Sequence, residues 1–241
     1  MSLHDIDKKL KDKILPDFAS VSNPIGLLVP LAELQKLINN TPNINWIHIK
    51  EKNLLSKRLS QCLNVLNSND GIHQHIINFY DSLFNNFLSH NIYVGEDLGL
   101  YLPGVFSFFQ NANHQRKLFI VNNFLTNKFL KLSKEEIYIT LPGFIHGIIP
   151  GMEEINEQLV KSVQDLFIKV IKKVGEKDFF SCLYSCVLKS SNIRIAGIKL
   201  MTSLIPIFSY EKFYLYVLDY PFRPKCPAEA YFRTALRRNG A

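Results

Sequence analysis

The chain has 241 residues, 47% of them hydrophobic, which is enough for one sizeable core or one short helical array. Its 11 glycines and 11 prolines are too few for a collagen-like or low-complexity chain. The formal net charge is +7, but residues 221–241 carry five basic and one acidic side chains, so the first 220 residues hold only +3; the body lacks the concentrated basic face that a nucleic-acid binder needs.

Residues 1–25 read as a polar N-terminal segment. Their start, "MSLHDIDKKLKDKIL", is charged where the apolar stretch of a signal peptide would lie. A first helix is predicted over Pro30–Asn40, with the proline in its first position, and a second over Leu54–Val65. In "GIHQHIINFYDSLFNNFLSH", Ile76, Ile77, Tyr80, Leu83, Phe84, Phe87 and Leu88 share one face of an α-helix. The pattern resumes after Gly95 and is interrupted at Pro103-Gly104, which predicts two short turns or a kinked helix. "HQRKLFIVNNFLTNKFLKL" predicts a further helix.

Ser133 with Glu135 and Glu136 marks a new helix start. That region runs to about Ile149, with a kink at Pro142-Gly143, and stops at Pro150-Gly151. The clearest stripe follows: Leu159, Val160, Val163, Leu166, Phe167, Val170, Ile171 and Val174. Gly175 supplies its stop. Helices over Phe179–Leu188 and Ile193–Ile205 come next, and Glu211–Tyr220 begins another.

About nine amphipathic helices with short connections and no strand alternation predict an all-α fold. An α-solenoid of HEAT or armadillo-like antiparallel helix pairs fits, because neighbours must cover each broad apolar face. A closed helical bundle is the alternative. No window reaches the roughly 18 apolar residues of a membrane-spanning helix. The best candidate, Ile198–Phe208, holds Lys199, Thr202, Ser203 and Pro206. The four cysteines then read as reduced thiols of a cytosolic protein. The weakly basic surface is compatible with an anionic membrane leaflet.

Residues 221–241 differ in kind. They hold four of the seven arginines and four of the eight alanines. Pro221, Pro224 and Pro227 block a helix through 221–227, which leaves room only for a short, exposed basic helix over Ala228–Arg238, so the segment reads as an atypical basic tail outside the helical domain, 26–220.

Several phrases in this order resemble the N-terminal domain of the Dopey family. They are "RLSQCLN" (58–64), "GIHQHIINFYDSLF" (71–84), "DLGLYLPGVFSFFQNAN" (97–113), "IIPGMEE" (148–154), "KVGEKDFF" (173–180) and "SSNIRIAGIKLM" (190–201). The resemblance covers about residues 26–206. Against the family pattern, Met152 replaces a leucine, Glu176 and Lys177 interrupt a Val-Gly-Asp turn, and Ile195-Ala196-Gly197 varies an Arg-Leu-Gly-Ala element. The resemblance implies a non-enzymatic scaffold of Golgi and endosome vesicular trafficking, at the cytosolic face of those membranes. It implies peripheral membrane association, and a large Arf-exchange-factor-related Golgi protein and an aminophospholipid flippase as partners; no nucleic acid is expected, on the charge pattern above. The alternative is an unrelated helical-repeat adaptor or regulatory subunit that shares only the helical physics.

No residue is singled out as catalytic, cofactor-binding or metal-ligating. Cys182 and Cys186 are four apart on one helix, but structural zinc needs four ligands, and Cys62 and Cys226 are remote. Buried thiols are expected instead. His73 and His75 point to different sides of a helix and are expected near its start, facing solvent. His146 reads as a hydrogen-bonded histidine at the core or its edge. Glu153 and Glu154 are expected exposed in the first turn of the helix after Pro150-Gly151, where they favour the positive end of the helix dipole. A partner contact is the second reading of that loop. No G-x-S-x-G elbow, P-loop or H-E-x-x-H occurs.

Overall fold

The structure, a computed structural model, describes residues 1–20, 24–63, 70–90 and 93–208. The expected helix over 211–220, Cys226 and the tail 221–241 lie outside the described residues. Among those described, the protein is all-α and contains no strand. Eleven α-helices are present: α1 (Leu3–Lys9), α2 (Leu15–Ser20), α3 (Leu28–Asn39), α4 (Lys52–Leu63), α5 (Asp70–His90), α6 (Gly95–Asn111), α7 (His114–Phe119), α8 (Lys134–Ile148), α9 (Glu157–Val174), α10 (Glu176–Lys189) and α11 (Arg194–Leu204). The chain divides into two compact units, Met1–Phe108 and the part from Phe109 onward, with the boundary inside α6.

The first unit begins earlier than the sequence suggests. Residues 3–20 are helical, with a π-helical turn over Leu10–Ile14. Ile6, Leu10, Ile14, Leu15 and Phe18 are buried. Their spacing is a helical stripe diluted by lysines, and Ser2 and Asp5 close a reciprocal capping box that starts α1. Of the polar, partly ordered segment read over 1–25, residues 3–20 are thus helical. α3 begins two residues before Pro30, preceded by a 3₁₀ turn over Pro24–Leu27.

α5 buries Ile72, Ile76, Phe79, Tyr80, Leu83, Phe84 and Phe87. α3 packs along it. The loop between α3 and α4 is held on α5 by one buried amide. Asn86 Oδ1 accepts from the Trp46 backbone N–H at 3.0 Å, and its Nδ2 donates to the Ile44 carbonyl at 2.9 Å. Trp46 Nε1 donates to Thr41 Oγ1 at 3.1 Å, and that hydroxyl donates to the Leu37 carbonyl at 2.7 Å. The indole meets Phe79 edge-on at 5.9 Å. The Trp46, Ile44 and Thr41 groups of this loop can sit in the core because each of these has found a partner.

α6 is one continuous helix that contains Pro103, so of the two readings at Pro103-Gly104 the two short turns are excluded. One missing backbone donor is tolerated where the surrounding turns are buried: Leu98, Tyr101, Leu102, Val105 and Phe106 all lie in the core. Pro142 likewise lies inside an unbroken α8.

In the second unit, the single helix expected after His114 is divided. α7 is followed by a π-helical turn over Ile120–Leu125 and a 3₁₀ turn over Phe129–Lys131. Ser133 caps α8 in a capping box with Glu136, as the sequence pattern indicates. Lys173, near the end of α9, donates to the Leu130 carbonyl just before α8 begins, at 3.0 Å. With the short 149–156 connection at their other ends, α8 and α9 run antiparallel. Gly175 then joins α9 to α10 at φ +101°, a conformation that L side chains rarely adopt.

A line of six phenylalanines runs through this unit. Phe129 stacks on Phe144 at 5.2 Å; Phe144 meets Phe167 at 5.3 Å, and Phe167 meets Phe179 at 5.9 Å. Phe179 and Phe180 follow at 5.5 Å, and Phe180 and Phe208 at 5.9 Å. Most contacts are edge-to-face, the arrangement the ring quadrupole favours. Leu166, Val170 and Ile171 are buried beside Phe167, as the α9 stripe requires.

Candidate interaction site at the Pro150–Asn156 break

α8 ends where Pro150 offers no N–H to the carbonyl four residues earlier, that of His146. Gln110 Nε2 supplies the missing donor, at 2.9 Å. The chain does not stop there. A 3₁₀ turn continues over Ile149–Glu153, through Pro150-Gly151. Gly151 is required by close approach: a Cβ there would sit 2.8 Å from Val163 Cγ2 and 3.1 Å from the Phe109 ring. Met152 is buried.

Glu154 then leaves the turn in extended conformation, with φ −66° and ψ 149°. Asn156 caps α9, its Oδ1 accepting from the Leu159 N–H at 2.9 Å. Glu154 Oε1 accepts from Lys117 Nζ of α7. The Lys117 side chain is only 9% exposed, and its Nζ lies 5.6 Å from the centre of the Phe109 ring. A lysine so buried requires a counter-charge, and the loop provides it.

This corrects the placement of the paired carboxylates. Neither Glu153 nor Glu154 is in the first turn of α9, which starts at Glu157 behind the Asn156 cap. Glu153 is exposed. Glu154 is half-buried and clasps α7 instead of the helix dipole. Between the two clasped ends, Ile155 is 98% exposed. Sequence reasoning missed Lys117, Gln110 and Ile155. Lys117 and Gln110 act across 37 and 36 residues, and no local pattern announces such a partnership.

The remaining candidates lie apart from this break. His73 is corrected: it is 5% exposed, not solvent-facing, and meets the Phe108 ring edge-on at 4.5 Å. Burial lowers its pKa, which favours the uncharged ring. His75 is half-buried on the same helix, and His146 is half-buried on α8. Cys182 and Cys186 are buried side chains of α10. Among the described residues, no group of three or more His, Cys, Asp or Glu is arranged to hold a metal. Asp97 is a second buried charge, in the first unit. It lies 2.6 Å from Lys52 Nζ and so ties α6 to α4. Burial raises its pKa against the pull of Lys52.

Cys62 is 5% exposed, and burial pushes its thiol up to about 11. Because the thiolate is the reactive form, iodoacetamide at mildly alkaline pH should label Cys62 more slowly in native protein than in denaturant. Peptide mass spectrometry reads this site by site; equal rates would contradict the burial.

Among the described residues, no helix is long and apolar enough to cross a membrane. The Dopey N-terminal family matches residues 8–214, which extends the resemblance into α1 and past the last described residue. The chain is similar to Protein DOP1B of Xenopus laevis, 28% identical over 184 residues, covering 76% of this chain and 8% of that protein. It is also similar to Protein pad-1 of Caenorhabditis elegans, 27% identical over 187 residues, covering 78% of this chain and 7% of that protein. The Caenorhabditis briggsae pad-1 protein is 28% identical over 190 residues, covering 78% and 8%. The chain thus spans less than a tenth of the length of these relatives. No solved structure matches it. A match over most of the chain places it: the chain belongs to the Dopey family.

Proposed function

We propose that this chain serves as a non-enzymatic scaffold in Golgi and endosome vesicular trafficking, acting through protein–protein contacts. The observation that carries the proposal is the match of residues 8–214 to the family's N-terminal domain. The helices extend as an α-solenoid of HEAT or armadillo-like pairs. The antiparallel α8–α9 pair supports that arrangement, because each such pair leaves a face for the next to cover. The last described helix has such a face: Ile195 and Ile198 of α11 and Ile205 at its C-terminal cap are 61%, 53% and 41% exposed.

The partners are a large Arf-exchange-factor-related Golgi protein and an aminophospholipid flippase, met at the cytosolic face of Golgi and endosomal membranes. Affinity purification of the tagged chain, expressed at its native level, tests this. Both partners should be enriched over a tag-only control. Recovery of neither, with the tagged chain intact, would overturn the proposal.

A further inference from the structure

We propose that Ile155 is an anchor that seats in an apolar pocket of a partner protein, and that the pocket is rimmed by lysine or arginine side chains. The proposal rests on the contact-surface reading above, but not on which trafficking partner is involved. Large apolar side chains on a surface are ordinary when scattered and partly covered. Ile155 is neither. It is 98% exposed, and its neighbours are fixed.

On one side, Gly151 is wedged against Val163 and Phe109, Met152 is buried, and Glu154 is held by Lys117. On the other side, Asn156 is bonded to the start of α9. A side chain held out on a fixed frame loses little freedom when it enters a pocket, which is the property of a strong anchor. The charge around it defines the rim. Glu153 and Glu157 are exposed on either side. Glu135 and Glu136 lie at the other end of α8 and Lys117 offsets Glu154, so Glu153 and Glu157 set the charge beside Ile155; Lys161 lies one turn further into α9. The carboxylates oppose an anionic lipid surface and favour a basic rim, since complementary potentials select partners and suppress wrong ones.

A photo-crosslinking residue tests this directly. p-Benzoylphenylalanine replaces Ile155 in the whole chain, expressed in its own cells, and replaces exposed Ile25 in a control. Crosslinked peptides are sequenced. The expected result is an adduct from position 155, and not from 25, to an apolar protein segment with at least two lysines or arginines beside it. Adding Glu153→Lys and Glu157→Lys should reduce that adduct at least tenfold while lowering the thermal melt only slightly, through the lost dipole contact of Glu157 in the first turn of α9. An adduct to lipid, to a second copy of this chain or to an acidic segment would overturn the proposal. So would no adduct, or one indifferent to the two charge reversals. Failure of the crosslink while affinity purification still recovers the trafficking partners would sink this inference alone.

Discussion

Phe167→Ala is expected to lower stability by about 3–5 kcal/mol, the usual cost of emptying a buried aromatic site. The ring is fully buried and lies between Phe144 and Phe179 at 5.3 and 5.9 Å. It is the bridge that joins the α8 ring to the α10 rings. Its loss removes the area term and two edge-to-face contacts, and leaves a void that helices on both sides cannot fill without moving. Phe167→Leu should cost less, because it keeps most of the volume. Urea unfolding followed by circular dichroism gives the comparison. An alanine variant with the parent's midpoint would show that α9 does not pack as described.

Asn86→Ala should be nearly as damaging, although it removes only a few atoms. The amide joins the Trp46 N–H to the Ile44 carbonyl inside the core of the first unit. Each buried backbone group left unpaired costs about 1–3 kcal/mol, so two of them cost about 2–6 kcal/mol together. An apolar contact of similar area would not predict so large a loss, which is what makes the variant informative. Native-state hydrogen exchange should show faster exchange of the Trp46 amide. Unchanged exchange at Trp46 would mean that the loop does not depend on Asn86.

The sequence made the helices easier to read than their joints. The α9 stripe predicted a helix and its buried face together, because burial repeats with the helical period. Ser133 and Glu136 predicted a capped start, because both partners of a capping box lie within one turn. The N-terminal stripe of Ile6, Leu10, Ile14 and Phe18 has the same period, yet lysines and Pro16 among those residues obscured it. Prolines alone did not decide between a break and a helix: Pro103 and Pro142 sit inside helices whose neighbouring turns are buried. At Pro150, Gln110 makes up the missing bond at the helix end.

The candidate site was half legible. "PGMEE" was recognisable as a break and as loop surface. What the two glutamates do was not, because Lys117 is distant in sequence and its burial depends on Phe109. His73 was misplaced for the same reason: only the tertiary partner, Phe108, shows that its side of α5 is covered.

The single tryptophan of the chain is Trp46, fully buried in the first unit with its indole N–H on Thr41. Its emission therefore reports on one half of the molecule, while the phenylalanine line in the other half is silent at those wavelengths. Fluorescence and ellipticity followed together through one denaturation curve become a test of cooperativity. Coincident transitions would mean that the halves unfold as one. Transitions that separate would give each half its own midpoint and assign the damage of any substitution to the half that bears it.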